Sequence, residues 1–472
     1  YANDVITAGQ ELWGFVPPAV FTRLNAARSS HQWLVDGTPV VKDVFYRRTP
    51  QGASTPEAYH TVLIVGLRGG GGAYIALDVT DPFEPKFLWQ FAHADLGETY
   101  GTPALGQAVV EVSTNVYEER AVAFLPGGGG DDITLSCSGM EPVSNAPDRL
   151  AGCLPNGRLV PDTATGSIDA RARVRCWRER GRAMFVVDPS TGQLIKYLDD
   201  RVFSSPITGG VALFTGNVGT IASRAYFNDA DGVIWRMEFS SADLDEWRAS
   251  PVFDMFHGAG GAQGQPSYGP PVLSTDLDGN VVIIQGTGDV DTLDGDSTVT
   301  NRITSVTDVA TFSGSGTGAA SYGVNLNWEV VLAPGEVVTG PIQLFDSKIY
   351  FATFRSAAST TDACAFGRSY LWGLDYRLPS SGYAPTGILP AGPAPSTTTV
   401  ANIAQADNEL ILGLAVTQDL TCADWNDESR FDPYVPSASA NVRRAGQVNR
   451  GGFRLVGQVS GGETTSGAEI GR

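Results

Sequence analysis

Histidine and cysteine are both scarce in this chain. The four histidines, His31, His60, His93 and His257, are scattered, with no H-x-x-x-H or H-E-x-x-H pair. That removes the common zinc hydrolase arrangements. None of the five cysteines belongs to a C-x-x-C, which removes zinc ribbons and dithiol redox motifs. There is no G-x-S-x-G elbow and no Walker loop. Residues 69–72 are all glycine, without the Lys and Ser/Thr that a phosphate cradle requires, so they read as a turn. The spacing Gly210…Gly216…Gly219 precedes a strand instead of a helix, so the dinucleotide reading fails. No run of about twenty apolar residues offers a membrane span. Positive charge is short as well: Lys plus Arg is 32 against Asp plus Glu 51, a net charge of −19. Such a surface repels phosphates, and no basic stripe with interleaved aromatics offsets it, so nucleic acid is excluded as a partner. Long amphipathic helical windows are missing; residues 241–248 allow a turn or two at most.

What the chain has in quantity is turns. Gly 56 and Pro 28 stand beside 42% hydrophobic residues, which means many turns around a real core. Five stretches resemble one another: Gly37-Thr38-Pro39-Val40-Val41, Gly101-Thr102-Pro103-Ala104-Leu105, Ser204-Ser205-Pro206-Ile207-Thr208, Gly269-Pro270-Pro271-Val272-Leu273 and Thr339-Gly340-Pro341-Ile342-Gln343. Proline has no N–H for a ladder but tolerates the first position of a strand, so each reads as a strand entrance. The prolines lie 64, 103, 65 and 70 residues apart, a repeat that points to a β-propeller with long blades. Apolar runs such as Tyr74-Ile75-Ala76-Leu77-Asp78, Ala183-Met184-Phe185-Val186-Val187-Asp188 and Arg224-Ala225-Tyr226-Phe227 each turn through Asp, Asn, Gly or Pro and return as a second strand. Tyr370-Leu371-Trp372-Gly373-Leu374-Asp375 is a later version. A sixth entrance is expected at residues 399–403, before a hairpin at 409–413. Glu11-Leu12-Trp13-Gly14-Phe15-Val16 reads as a strand with no inner strand ahead of it. The expectation is therefore an all-β chain, one modified β-propeller over residues 1–472, with seven blades of which one is completed by residues outside this chain.

The interval of 103 residues marks an insertion. Across 127–180 the periodicity dissolves into four glycines, polar turns and the cysteines Cys137, Cys153 and Cys176; Cys364 and Cys422 lie in loops far downstream. Loop placement favours disulfides, and disulfides imply an oxidising compartment. The expected bridges are one among Cys137, Cys153 and Cys176, with Cys137–Cys153 closing the shorter loop, and Cys364 with Cys422. Acidic loops are the remaining ligand candidates. Asp289, Asp291, Asp294 and Asp296 place four carboxylates in eight residues. Calcium takes six to eight oxygens at about 2.3–2.6 Å, yet this loop lacks the spacing and terminal Glu of an EF-hand. The sequences Asp276-Leu277-Asp278-Gly279-Asn280 and Asn228-Asp229-Ala230-Asp231-Gly232 read as hairpin turns.

The order of several segments is similar to one family. Ala2-Asn3-Asp4, Gln10-Glu11-Leu12-Trp13-Gly14-Phe15-Val16-Pro17, Val35-Asp36-Gly37-Thr38-Pro39, Ala76-Leu77-Asp78-Val79-Thr80-Asp81-Pro82 and Asp95-Leu96-Gly97-Glu98-Thr99-Tyr100-Gly101-Thr102-Pro103 come first. Asp231-Gly232-Val233-Ile234-Trp235-Arg236, Gln285-Gly286-Thr287-Gly288, Leu332-Ala333-Pro334-Gly335-Glu336 and Cys364-Ala365-Phe366-Gly367 follow. Together they resemble the C-terminal domain of PilY-type proteins, tip-associated assembly factors and adhesins of bacterial type IV pili, over nearly the whole chain except 127–180. The resemblance implies a propeller without catalysis, exported through the periplasm to the pilus tip. There it would sit on minor pilins, promote pilus extension and twitching motility, and attach to host or abiotic surfaces. It also implies an Asp-rich calcium loop just before Arg224. Here that position, Thr215-Gly216-Asn217-Val218-Gly219-Thr220-Ile221-Ala222-Ser223, holds no carboxylate, so the calcium site looks lost and no cofactor is expected.

Two other classes share the architecture. A pyrroloquinoline-quinone dehydrogenase would share turns such as Asp188-Pro189-Ser190-Thr191-Gly192, but it needs a cofactor cage, and no adjacent cysteine pair or tryptophan floor is visible. A secreted carbohydrate-active propeller would need two carboxylates about 5–9.5 Å apart in a central pocket.

Overall fold

Alternating β-branched and aromatic runs, each bounded by Asp, Gly or Pro, fold into antiparallel meanders in the computed structural model of the chain. It describes residues 11–47, 57–130, 179–215, 221–256, 264–288, 300–311, 321–345, 348–356 and 367–376. Shorter pieces are described at 132–133, 159–161, 168–170, 176–177, 405–407, 410–411, 415–418, 431–436, 442–445 and 468–470. Among these residues there are six four-stranded sheets. The first runs Val40–Arg47, Glu57–Gly66, Tyr74–Asp78, Lys86–Phe91, and the second Ala104–Ser113, Val116–Pro126, Met184–Val187, Leu194–Leu198. The third runs Ala212–Phe214, Arg224–Asn228, Val233–Glu238, Arg248–Asp254, and the fourth Val272–Thr275, Val281–Gly286, Arg302–Thr311, Ser321–Val331. The fifth runs Glu336–Phe345, Lys348–Ser356, Gly367–Asp375, Gln405–Asp407, and the sixth Ala415–Gln418, Phe431–Pro436, Val442–Ala445, Ala468–Ile470. The last pair of the sixth sheet is parallel.

Each proline entrance belongs to the first strand of a different sheet or leads into it. Pro39, Pro103 and Pro271 stand directly before Val40, Ala104 and Val272, as their missing N–H favours. Two entrances depart from the expectation. After Pro206 the strand begins only at Ala212, because Ile207 and Val211 direct their N–H groups to the carbonyls of Gly181 and Thr102 instead of a ladder. Pro341 sits inside its strand, where the ladder with Lys348–Ser356 breaks between Thr339 and Gln343; a residue without N–H is accommodated at the irregularity. The expected sixth entrance at 399–403 lies outside the described residues. Gln405–Asp407 completes the fifth sheet, and the sixth begins at Ala415; of the hairpin expected at 409–413, residues 410 and 411 are described and the rest lies outside the described residues.

Two compact units divide the chain, one holding 1–153, 176–225 and 237–249, the other 154–175, 226–236 and 250–472. In the first, the opening strands of the first and second sheets adjoin, as do those of the second and third. Lys42 Nζ spans the first junction to the Leu105 carbonyl at 2.8 Å. The core between the first two sheets holds Val44, Val62, Ile64, Tyr74, Leu105, Leu125, Phe185 and Val187. In the second unit, the opening strands of the fourth and fifth sheets adjoin, as do those of the fifth and sixth. Ile284, Ile303, Trp328, Ile349, Phe351 and Trp372 fill the core between the fourth and fifth.

The segment Glu11–Val16 is no strand. Its side chains make its contacts: the Trp13 indole N–H donates to the Pro82 carbonyl at 2.9 Å, and Phe15 stacks on Phe87 with centroids 5.7 Å apart. Pro17 and Pro18 then turn the chain into the short helical pieces Pro18–Val20 and Phe21–Leu24. Val20 anchors this arm against Leu67, Ala73 and Ile75, and the Ala19 N–H donates to Gln90.

The insertion springs from a clamp made of backbone. Gly127 N–H donates to Ala183 O, Gly128 to Ile207 O, and Gly181 to Asp95 O, all at 2.8–2.9 Å. Gly97 and Glu98 bond to Gly127 and Gly129 across the same point. A Cβ on Gly97 would meet the Gly129 carbonyl oxygen at 1.5 Å, and Gly128 and Gly181 have φ of +86° and +83°, so glycine is required there. Within the insertion, Asp132–Ile133 pairs with Cys176–Trp177 and Leu159–Pro161 with Ile168–Ala170.

Candidate functional site

The acidic turns come first, because they are the ligand candidates that the sequence offers. In the turn after Arg224–Asn228, one Asp229 oxygen accepts the N–H groups of Asp231 and Val233 at 3.0 and 2.9 Å; the other accepts the Trp235 indole N–H at 3.0 Å. Asp276 does the same for Asp278 and Asn280, with Gly279 at φ +83°. Asp188 accepts from the Ser190 hydroxyl and amide and from the Thr191 amide, while Trp89 lies over this turn and donates to the Pro189 carbonyl. These carboxylates close their own hairpins, as Asx-type turns do. Among the described residues no group of three His, Cys, Asp or Glu side chains is placed to hold a metal ion. Asp289, Asp291, Asp294 and Asp296 lie outside the described residues, as do Cys137, Cys153, Cys364 and Cys422. Cys176 is in the short strand Cys176–Trp177. Of residues 215–223, 216–220 lie outside; Ala222 N–H donates to Gln107 O and Ser223 N–H to Phe214 O.

Several titratable groups meet partners. His60 Nδ1 lies 3.2 Å from Asp78, whose other oxygen accepts the Thr80 hydroxyl and amide. Burial alone would raise the Asp78 carboxyl; the Thr80 bonds and His60 outweigh it and hold it below the ordinary carboxylate range. The Tyr197 hydroxyl donates to Asp95, with the His93 ring 5.1 Å from the Tyr197 ring. Burial, followed by the bond to Asp95, pushes this hydroxyl well above its usual value. Glu336 is buried; its carboxylate accepts the Thr353 hydroxyl and the Ala333 amide at 3.3 Å. Burial pushes it above the ordinary range, with Thr353, Ala333 and Arg355 opposing.

The group that sequence reading missed is Asp308. It is 1% exposed, takes Arg236 Nη1 at 2.7 Å on one oxygen and the Tyr226 hydroxyl at 2.7 Å on the other, and Arg236 also reaches Ser250. The one signal in the sequence is an aspartate at the end of the polar run Thr304-Ser305-Val306-Thr307-Asp308 within an otherwise apolar fold.

The outside of the first unit presents a different feature. Leu12, Trp13, Phe15, Val16, Phe21 and Trp33 on the opening arm are all more than a third exposed. Phe45, Tyr59 and Phe87 of the first sheet are exposed as well.

Comparison with known proteins places this architecture. Over 110 residues, 21% of this chain, it is 41% identical to the type IV pilus biogenesis factor PilY1 of Pseudomonas aeruginosa, and the match spans 9% of that protein. A PilY1 homolog from Xylella fastidiosa is 24% identical over 259 residues, 54% of this chain and 16% of the relative. This chain thus matches a small part of the length of these relatives. No family model matches it. In three dimensions it superposes on the crystal structure of the Pseudomonas aeruginosa PilY1 C-terminal domain with a TM-score of 0.53 and 18% identity, covering 91% of this chain and 87% of that one. The fold is that of a PilY-type C-terminal domain. It is all-β and propeller-like, as the repeat of proline entrances predicts.

Segments that carry the PilY-type resemblance in sequence turn out to hold buried polar turn groups. The Thr99 hydroxyl, in the stretch from Asp95 to Pro103, accepts from the Leu67 and Arg68 amides and donates toward the Gly71 and Ala73 carbonyls. Thr287, in Gln285-Gly286-Thr287-Gly288, takes the Arg302 amide at 2.9 Å and meets Asn301 at 3.2 Å, and Asn301 donates to the Glu336 carbonyl. Such groups fix loops that no apolar pattern specifies.

Proposed function

We propose that this PilY-type domain belongs to a non-catalytic protein of the type IV pilus tip, exported through the periplasm. It supports pilus assembly and extension, twitching motility and attachment to host or abiotic surfaces, with minor pilins as its partners. The likeness to PilY1 biogenesis factors, 41% identity over 110 residues together with the shared fold, carries this reading. A role without catalysis is supported by Asp188, Asp229 and Asp276, each held by its own turn. Calcium has little part in it, because the stretch 215–223 offers no carboxylate. If an ion does bind, Asp289, Asp291, Asp294 and Asp296 are its ligands. The bridges assigned to the cysteines suit an extracellular location, and non-reducing peptide mapping that found five free thiols would remove that support. The deciding experiment is labelling of intact pili with an antibody against this domain, together with a deletion strain. Tip-localised label and lost extension or twitching, restored by complementation, are expected. Label absent from pili, with normal piliation in the deletion strain, would overturn the reading.

A further inference from the structure

On the fourth sheet, one rung of three neighbouring strands is polar although two of its members, Gln285 and Thr304, are buried. Gln285 pairs directly with Thr304, and Thr304 with Glu329, so the three side chains share one face of the sheet. Two residues before Thr304 on the same face, Arg302 sends its guanidinium across to Glu329 at 2.8 Å, which lays it beside the rung. The Phe256 ring covers that guanidinium at 5.2 Å. Gln285, Thr304 and Arg302 are all buried, yet Gln285 Oε1, Thr304 Oγ1 and Arg302 Nε have no hydrogen-bond partner in the protein. The amide of Gln285 cannot simply be reversed, since its Nε2 donates to Ser267 and to the Gly286 carbonyl at 3.1 Å.

We infer that this rung is a binding site for one internal water molecule, held between Gln285 Oε1, Thr304 Oγ1 and Arg302 Nε. The chemistry selects the ligand. Two of the groups accept and one can only donate, so the occupant must both donate and accept. A metal cation cannot accept the Arg302 N–H, and a simple anion cannot donate to Gln285. Buried waters commonly make about three such bonds, the number offered here. Without an occupant, each buried group would forfeit its hydration unrepaid.

A crystal structure of the chain at a resolution that shows ordered solvent tests this directly. The expected result is a water at about 2.7–3.2 Å from all three atoms. A metal ion, a protein group or no density in that place would overturn the inference. Thermal denaturation adds a second reading. Thr304→Val keeps the shape but removes the hydroxyl, and it is expected to lower Tm by about 1–3 °C, while Thr304→Ser leaves Tm near that of the parent. A Thr304→Val protein as stable as the parent or more so would mean that the hydroxyl was never satisfied, and would also overturn it.

Discussion

The first and fourth sheets are the same four-stranded meander built in opposite ways. The first keeps a mainly apolar interior of Val44, Val62, Ile64 and Tyr74, with Asp78 as its buried carboxylate, and it wears aromatic side chains outside: Tyr59 is 72% exposed, and Phe15 and Phe87 stack on the surface. The fourth sheet adds a set of buried polar groups to its apolar core of Ile284, Ile303 and Trp328. Gln285, Arg302, Thr304, Thr307 and Asp308 are all buried in it. Apolar packing tolerates volume-conserving swaps, which usually cost less than about 1.5 kcal/mol. A buried polar network lacks that tolerance, since removing one member strands its partner away from water. The fourth sheet is therefore expected to be the more sensitive of the two to single substitutions.

The largest effect should come from Asp308→Ala. It leaves Arg236 and the Tyr226 hydroxyl without the carboxylate between them, and breaking a buried pair in this way costs about 3–5 kcal/mol. Urea denaturation of parent and variant measures it; a loss below about 1 kcal/mol would erase the contrast between the sheets.

Glu336, at the start of the fifth sheet, sharpens the comparison through pH. Its folded-state carboxyl titrates above the ordinary value, so it contributes most stability below the unfolded pKa, and that contribution fades as pH rises through the folded one. Glu336→Gln keeps the acceptor for Thr353 and removes the charge. The Tm of the variant relative to the parent should rise between acid and neutral pH, and a gap that shrinks instead would show that Arg355 holds the carboxylate ionised.

On the first sheet, Phe15→Ala should be mild. The ring is partly exposed and loses one aromatic partner, about 0.5–1.5 kcal/mol in the same denaturation experiment. A larger loss would mean that the arm is structurally integral and the sheet's surface less forgiving than its packing suggests.

The smallest expected effect is that of chelator. An ion at a hundred times its dissociation constant would add about 2.7 kcal/mol, plainly visible as a Tm shift, and none is expected. A shift abolished by Asp291→Ala with Asp294→Ala would assign calcium to residues 289–296.

Much of this architecture was readable from residue types. Proline before an apolar run marks the first strand of a sheet because it has no ladder hydrogen to lose, and Asp-x-x-Gly turns announce their hairpins. Pro206 and Pro341 mislead by position alone: one is followed by a stretch whose amides bond elsewhere, the other sits at a ladder irregularity. Glu11–Val16 misleads in type, since its alternation serves side-chain stacking against Pro82 and Phe87 and not a ladder. The Arg236–Asp308 pair was illegible because its members are 72 residues apart, and nothing local distinguishes a buried aspartate from a turn aspartate. For the candidate site, sequence supplied residue types at the acidic turns and structure assigned their carboxylates to backbone amides.

The glycine clamp at the base of the insertion makes this region a natural cassette. Both feet, at Gly127 and Gly181, are pinned by main-chain hydrogen bonds involving Ala183, Asp95 and Ile207, to which the Arg180 side chain adds bonds to the Leu96 carbonyl. Those backbone bonds do not depend on which side chains lie between the feet. The entropy of closing a loop grows only slowly with its length, about 0.6 kcal/mol per doubling, so the domain can exchange one insert for a shorter or longer one at little cost to its sheets. Sequence and length can then vary between the feet while the bonds at Gly127 and Gly181 stay in place.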